Sequence, residues 1–96
     1  MRFEWDDEKE KYNIRTHGLD FTTAARVFDD ENRLELYDEA HSEYEDRYQT
    51  IGIIDDIMIV AFVVYTERDN DTIRLISARR ATKKERDMYD DYSKGY

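Results

Sequence analysis

The sequence contains no cysteine and no proline, and it has only three glycines in 96 residues. Without cysteine there are no disulfides and no thiolate metal sites, as is usual in a reducing cytoplasm. No apolar run approaches the roughly 20 residues that span a bilayer, and the charged segment 1–6 is unlike a secretory signal. We therefore expect a cytoplasmic protein that has no membrane partner.

The chain also lacks repeats and linkers rich in glycine or serine. A composition shift or a flexible linker would mark a domain boundary, and neither is present. A chain of this length is enough for one small hydrophobic core. We therefore predict that residues 1–96 form a single domain.

The charge is acidic and unevenly distributed. The formal net charge is -9, and residues 29–46 carry nine acids against one arginine, a net charge of -8. At physiological salt the Debye length is about 8 Å, so a basic patch well away from this segment is little affected by it. The acidity would slow association with RNA but does not exclude RNA as a partner.

Hydrophobic periodicity and turn-forming residues predict an α+β domain. Two N-terminal helices are expected, one capped by Asp6 and ending at His17-Gly18, the other over residues 21–28. Four strands should follow as an antiparallel meander: 34–37, 47–54, 57–66 and 72–78. The third has the longest apolar run and is expected to be a central strand buried on both faces. A last helix should run from Thr82 to about Tyr92, and Phe3 to Trp5 has the composition of a short extra strand.

Residues 79–86 concentrate positive charge at one place, with five basic residues and a single acid. Thr82 and Glu85 have the spacing of a capping box, which predicts a helix start directly after a strand. Lys83 and Lys84 would then lie at the positive end of the helix dipole, which is mildly unfavourable unless an anion binds there. The run therefore indicates a phosphate-binding corner, although pairing of these cations with the abundant acids explains it equally simply.

A second group of polar residues lies along the first predicted helix. Lys9, Asn13 and His17 are spaced four residues apart, so they share one stripe of the helix. The imidazole is the side chain best suited to proton transfer near neutral pH, although a solvated helix face would show the same pattern. The segment 69–71 lacks the glycine and distal glutamate of a calcium loop, and we expect neither a metal nor a cofactor.

Together these features resemble the BrnT family of type II toxins over nearly the whole chain. The matching positions are Phe3-Glu4-Trp5-Asp6, Lys9, Asn13, His17-Gly18, Phe21, Ala25, Val27-Phe28, Asp30, Asp46-Arg47-Tyr48, Ile51-Gly52, Val64-Tyr65-Thr66-Glu67-Arg68, Ile76-Ser77-Ala78-Arg79-Arg80-Ala81-Thr82, Glu85-Arg86 and Tyr89. The resemblance implies a RelE-like fold and an endoribonuclease that cuts RNA and inhibits translation. It also implies a BrnA-like ribbon-helix-helix antitoxin, through which alone the complex would contact operator DNA.

A ribonuclease of this kind needs residues with different roles in catalysis and RNA binding. Metal-independent cleavage uses the 2′-hydroxyl as nucleophile, so the enzyme must move protons and stabilise the phosphorane. We assign phosphate stabilisation to Arg79 and Arg80, helped by Lys9 and Arg47. His17 is the candidate general acid or base, with Glu85 as the alternative base. RNA binding is assigned to Lys83, Lys84 and Arg86, together with Arg47.

Two other functions compete with catalysis. The protein could act as a catalytically weak or inactive binding module, in which the acidic segment 29–46 meets a basic antitoxin and the complex acts as a co-repressor. An acidic mimic of nucleic acid would explain the charge but not the basic run at 79–86. The ribonuclease hypothesis has one geometric requirement, namely that His17 and Arg79 face the same cleft.

Overall fold

A computed structural model of the protein describes residues 1–94, an α+β domain built on one five-stranded sheet. The strands are β1 (Arg2–Glu4), β2 (Leu34–Tyr37), β3 (Arg47–Ile54), β4 (Ile59–Arg68) and β5 (Thr72–Arg80), in the spatial order β1-β5-β4-β3-β2. Residues 95 and 96, the end of the predicted domain, lie outside the described residues.

The meander from β2 to β5 is antiparallel, as predicted, but the sheet as a whole is mixed. β1 pairs in parallel with the first half of β5, with Phe3 opposite Ile73. The predicted short extra strand at residues 3–5 is present as β1 at Arg2–Glu4, whereas the prediction of a wholly antiparallel sheet was wrong. A parallel pair needs a long connection between its strands, and here the intervening helices and the three other strands provide it.

The helices are α1 (Asp7–His17), α2 (Phe21–Ala24) and α3 (Lys83–Ser93). The caps agree with the sequence: the Asp6 carboxylate accepts from the Lys9 N–H, and Gly18 ends α1 with φ of 71°. The second helix differs from the prediction over residues 21–28, because only its first turn is α-helical and residues 25–29 form a 3₁₀ helix. Such tightening is common at helix ends, and here it leads into Asp30, whose carboxylate accepts the Ile53 N–H of β3 at 2.9 Å.

The two faces of the sheet are covered unequally. On one face, side chains of α2 and the 3₁₀ helix pack on Ala61, Val63, Leu75 and Ala78 in the main core. On the other face, α3 covers a smaller core through Tyr89.

Because α3 covers only part of the second face, β4 is not buried on both sides as predicted. Ala61 and Val63 are fully buried, whereas Phe62 and Val64 are only half-buried. The strand also begins at residue 59 rather than 57, since residues 55–58 form the hairpin loop and Met58 adopts φ of 53°. We call the exposed part of this side, marked by Phe62, Val64, Ser77 and Arg79, the open face.

None of the helices within residues 1–94 combines the length and the apolar character that crossing a membrane would require.

Candidate functional site

Asn13 fixes α1 against the edge of β5. Its amide nitrogen donates to the carbonyl oxygens of Ala78 at 2.8 Å and Leu19 at 2.7 Å, and its oxygen accepts the Ala78 N–H at 3.0 Å. The side chain is buried, with 3% of its surface exposed. Asn13 is thus a structural residue, and of the polar stripe at 9, 13 and 17 only the two outer positions remain candidate site residues.

The two flanking residues of that stripe line a groove between α1 and β5. The groove has a volume of about 370 Å³, and its walls include Lys9, Tyr12, His17, Ile76 and Ser77. Lys9 and His17 are both exposed. The structure therefore brings the candidate proton-transfer residue and one candidate phosphate contact together on one concave surface, which we call the α1–β5 groove.

A β-bulge shapes the β5 wall of this groove. Ser77 lies opposite Val64 and Leu75 lies opposite Tyr65, which leaves Ile76 as the extra residue. Because Leu75 and Ala78 point into the main core, the bulge turns both Ile76 and Ser77 toward the other side of the strand.

Arg79 is held on the open face by a carboxylate and an aromatic ring. Its two terminal nitrogens donate to the two oxygens of Glu85 at 2.8 and 3.0 Å, and its guanidinium lies 4.2 Å from the ring centroid of Phe62. One terminal nitrogen also donates to the Arg80 carbonyl. A guanidinium has five N–H donors, so these bonds among the described residues leave two donors for an anion.

Glu85 binds Arg79 through both of its carboxylate oxygens. It also accepts the Thr82 N–H at 2.8 Å, which completes the predicted capping box of α3. Hydrogen bonding from Arg79 lowers the pKa of the Glu85 carboxyl more strongly than burial raises it, and the bond from Thr82 adds to the lowering. A carboxylate with a lowered pKa is a weak base, so this arrangement disfavours Glu85 as the alternative general base.

Arg79 does not line the α1–β5 groove itself, but its strand neighbour Ser77 does. Ser77 and Arg79 are two residues apart on β5, so they lie on the same side of the strand, roughly 7 Å apart along it. Arg80 points to the opposite side, opposite Ala61 of the main core face. The two adjacent arginines that the sequence combined in one phosphate site are therefore separated by the sheet, because side chains alternate along a strand.

The remaining basic residues lie around this centre. Arg80 and Arg86 line a smaller groove with Met58 and Val60 beside the β3–β4 hairpin. Lys83 pairs with Asp87 at 2.9 Å, as expected if the cations of the basic run pair with acids of the chain, and Lys84 is exposed. The run at 79–86 therefore divides into two parts. Arg79 and Glu85 form an ion pair on the open face, and the other basic residues form a separate rim.

Arg47 lies on the open side of the sheet but at its far end. Its partner on β4 is Thr66, four residues from Phe62, the partner of Arg79. This is roughly 13 Å along the strand, so the structure does not bring Arg47 to Arg79. Its Nε is buried and has no hydrogen-bond partner within residues 1–94.

Within residues 1–94, no three histidine or acidic side chains are gathered so that they could hold a metal ion.

Tyr12, which the sequence did not single out, lies on the wall of the α1–β5 groove with 61% of its surface exposed. The only signal for it in the sequence is an aromatic residue within a mostly polar helix.

A family model for the ribonuclease toxin BrnT of type II toxin–antitoxin systems matches residues 5–85. Since the match covers most of the chain, the protein belongs to the BrnT family, and the resemblance found in the sequence is confirmed.

A solved structure supports the same assignment. The 1.1 Å crystal structure of the Brucella abortus ribonuclease toxin BrnT is similar to this protein with a TM-score of 0.68 and 26% sequence identity. The match covers 86% of this chain and 99% of the Brucella chain. No protein among the curated sequences matches this chain.

Proposed function

We propose that this protein is a metal-independent endoribonuclease that cleaves RNA through attack of the 2′-hydroxyl and so inhibits translation. The observation that carries the proposal is that Ser77, which lines the α1–β5 groove together with His17, lies on the same side of β5 as the ion-paired Arg79. A phosphate placed between His17 and Arg79 would meet a cation on one side and a proton-transfer group on the other.

Arg79 is the proposed stabiliser of the phosphorane. The bidentate pair with Glu85 and the Phe62 ring restrict its guanidinium before RNA binds, and preorganised donors are effective because they need no rearrangement during the reaction. Removal of one such donor typically costs about 2.7–4 kcal/mol of transition-state stabilisation, or 10²–10³ in rate. In this scheme Glu85 positions Arg79 and takes no proton itself.

His17 is the proposed acid or base, and Lys9 is the proposed second cation. A positioned imidazole contributes about 10²–10⁴ in rate. His17 is the last residue of α1, and Asn13, one helical turn earlier, fixes that helix to β5. The hydrogen bonds of Asn13 that hold α1 in place therefore also fix the backbone position of His17 relative to β5.

The separated basic residues have a different proposed role. Arg80, Arg86 and Lys84 form a rim beyond the open face, and they would contact phosphates of the RNA on either side of the cut. Charged contacts of this kind raise affinity and make it depend on salt, without selecting a sequence. Removal of Arg80 should therefore weaken binding, whereas removal of Arg79 should also abolish the chemical step.

An antitoxin is the proposed protein partner, of the BrnA-like ribbon-helix-helix class, and operator DNA would be contacted only through it. The acidic segment 29–46 is the surface that best complements a basic partner. One observation favours the alternative of a catalytically weak co-repressor: Glu85 occupies two of the donors of Arg79.

Incubation of purified protein with RNA in the presence of a metal chelator tests the proposal. The wild-type protein should cleave the RNA and leave 2′,3′-cyclic phosphate ends, and substitution of 2′-deoxyribose at the cut site should stop cleavage. Arg79→Ala and His17→Ala should each lower the rate at least 100-fold. Arg68→Ala is the matched control, because Arg68 is exposed at the far end of β4, six residues and roughly 20 Å along the strand from Phe62. Cleavage that needs a divalent metal, or that survives both active-site substitutions in folded protein, would contradict the mechanism. A wild-type protein that binds its antitoxin but does not cut would favour the co-repressor.

A further inference from the structure

We propose that the α1–β5 groove binds a nucleobase of the RNA next to the scissile phosphate, with the ring of Tyr12 as its stacking surface. The inference rests on the proposed function, since it takes Arg79 to mark the phosphate. It adds a residue and a source of sequence preference that the family assignment does not supply.

The shape and lining of the groove suit a flat, partly apolar ligand. Its volume of about 370 Å³ lies within the roughly 300–1,000 Å³ of small-molecule sites. The surface is mainly apolar, with Ile76 and Ser77 of the bulge at one wall and the Tyr12 side of α1 at the other. Six of its eight lining residues are polar or charged, and they surround this apolar surface with groups that could orient the edge of a base.

Within residues 1–94, Tyr12 is not part of either hydrophobic core, so packing there does not explain an aromatic residue at this position. Its surface is 61% exposed. Arg15 lies with its guanidinium 6.0 Å from the ring centroid. An exposed aromatic ring with a basic residue beside it is the combination by which proteins stack a base and hold its phosphate.

The groove lies next to the proposed phosphate site along β5. Ser77 forms part of its wall and lies on the same side of β5 as Arg79, roughly 7 Å along the strand. Lys9 lines the groove as well and supplies positive charge for the backbone. A phosphate at Arg79 would therefore place the neighbouring base at the mouth of this groove.

The acidic residues of the groove predict which bases it accepts. Asp6 and Glu8 lie on its wall, and Glu8 is highly exposed and makes a long contact of 3.5 Å with Lys11. A carboxylate accepts hydrogen bonds from an exocyclic amine, as acidic side chains do with cytosine. The groove should therefore favour adenine, guanine or cytosine over uracil, which has no exocyclic amine.

Fluorescence of 2-aminopurine tests the subsite separately from cleavage. A short 2′-O-methyl RNA with one 2-aminopurine cannot be cut by attack of the 2′-hydroxyl, and binding to the wild-type protein should quench its fluorescence through stacking. Tyr12→Ala should remove the quenching and weaken binding about tenfold, whereas Tyr12→Phe should keep both. Tyr44→Ala is the matched control, since Tyr44 is 94% exposed within the acidic segment. An oligouridine competitor should be at least tenfold weaker than one of adenosine or cytidine.

The outcomes separate the two proposals. Wild-type protein that does not quench the probe, or Tyr12→Ala protein that quenches and binds as the wild type does, overturns the subsite. Cleavage that depends on Arg79 but not on Tyr12 would then leave the ribonuclease standing without it. Quenching that depends on Tyr12 in a protein that cuts no RNA would support the subsite and refute the ribonuclease.

Discussion

The side chain of Asn13 forms paired hydrogen bonds with the backbone of Ala78 and so takes the place of a neighbouring strand. Its oxygen accepts the Ala78 N–H and its nitrogen donates to the Ala78 carbonyl. β1 ends at Glu4, opposite Arg74, so this later part of β5 has no strand on that side. The amide thus satisfies buried backbone groups and holds the helix that carries Lys9, Tyr12 and His17.

Asn13→Ala should be among the most destabilising single substitutions in α1. It leaves the N–H and carbonyl of Ala78 and the carbonyl of Leu19 without their partner, and each buried unsatisfied group costs about 1–3 kcal/mol. Relaxation and water entry will recover part of this, so we expect a loss of about 2–4 kcal/mol in urea unfolding. Asn32→Ala, at an exposed position, should change stability by no more than about 0.5 kcal/mol. A small effect of Asn13→Ala would show that these bonds are dispensable.

The role of Asn13 marks the limit of what the sequence could predict. Spacing by four residues correctly placed Lys9 and His17 on one side of α1, because helical periodicity is local. It could not distinguish the buried amide between them from a third site residue, because that distinction depends on contact with Ala78, 65 positions later. The parallel pairing of β1 is likewise a long-range relationship that no local pattern encodes.

Glu85→Gln should lower stability most strongly near neutral pH. Hydrogen bonding from Arg79 lowers the pKa of Glu85 despite its burial, so the folded state favours the charged carboxylate. The stabilisation is therefore fully present above the ordinary glutamate pKa of about 4.5 and is lost as pH falls through the lowered folded value. Urea unfolding from pH 7 to pH 2.5 should show the wild type and Glu85→Gln converging at the acid end. A constant difference across this range would contradict the ion pair.

The same variant separates positioning from proton transfer. Glutamine can still accept one hydrogen bond from Arg79, so Glu85→Gln should keep a measurable fraction of the RNA cleavage rate. If Glu85 were the catalytic base, replacing it with an amide would instead remove one limb of the pH profile of cleavage. The pH profile of cleavage should therefore keep its shape in Glu85→Gln and lose a limb in His17→Gln.

Asp30 connects three parts of the structure, and the connection predicts strong coupling to Tyr89. Its carboxylate accepts the Tyr89 hydroxyl at 2.5 Å, the Ile53 N–H at 2.9 Å and the Asn32 N–H at 2.9 Å. Burial raises the pKa of Asp30, but these hydrogen bonds outweigh it and the net pKa is lowered. The pKa of Tyr89 is raised by burial and by the bond to Asp30.

A double-mutant cycle of Asp30→Asn and Tyr89→Phe should therefore give a coupling of about 1–3 kcal/mol in urea unfolding. Asp30→Asn alone should be the more destabilising, because it also weakens the bonds to two backbone N–H groups. Additive effects of the two substitutions would indicate that the contact between α3 and the 3₁₀ helix contributes nothing to stability.

The sequence showed that basic residues are concentrated at 79–86, but it did not show how the fold divides them between different sites. Five basic residues between 79 and 86 indicated a phosphate-binding corner, and within this run the structure pairs Arg79 with Glu85 and Lys83 with Asp87. Their division follows from the point where the strand ends. Arg79 and Arg80 are still in β5 and point to opposite sides, whereas Lys83, Lys84 and Arg86 belong to α3. The capping box located that boundary, but the sequence did not show which side of β5 faces the core.

Gly18 and Gly52 should respond differently to substitution, because one needs its backbone angle and the other needs its lack of a side chain. Gly18 has φ of 71° and open space around it, whereas a Cβ on Gly52 would lie 2.9 Å from Val27 Cγ2 and 3.0 Å from Arg33 Cβ. Gly18→Ala should cost about 1–2 kcal/mol from the left-handed conformation, and Gly18→Asn less, since asparagine tolerates it. Gly52→Ala should cost about 1–3 kcal/mol through overpacking, and Gly52→Asn clearly more. Thermal and urea unfolding of the four variants would measure this opposite ranking of alanine and asparagine, and the same ranking at both positions would contradict it.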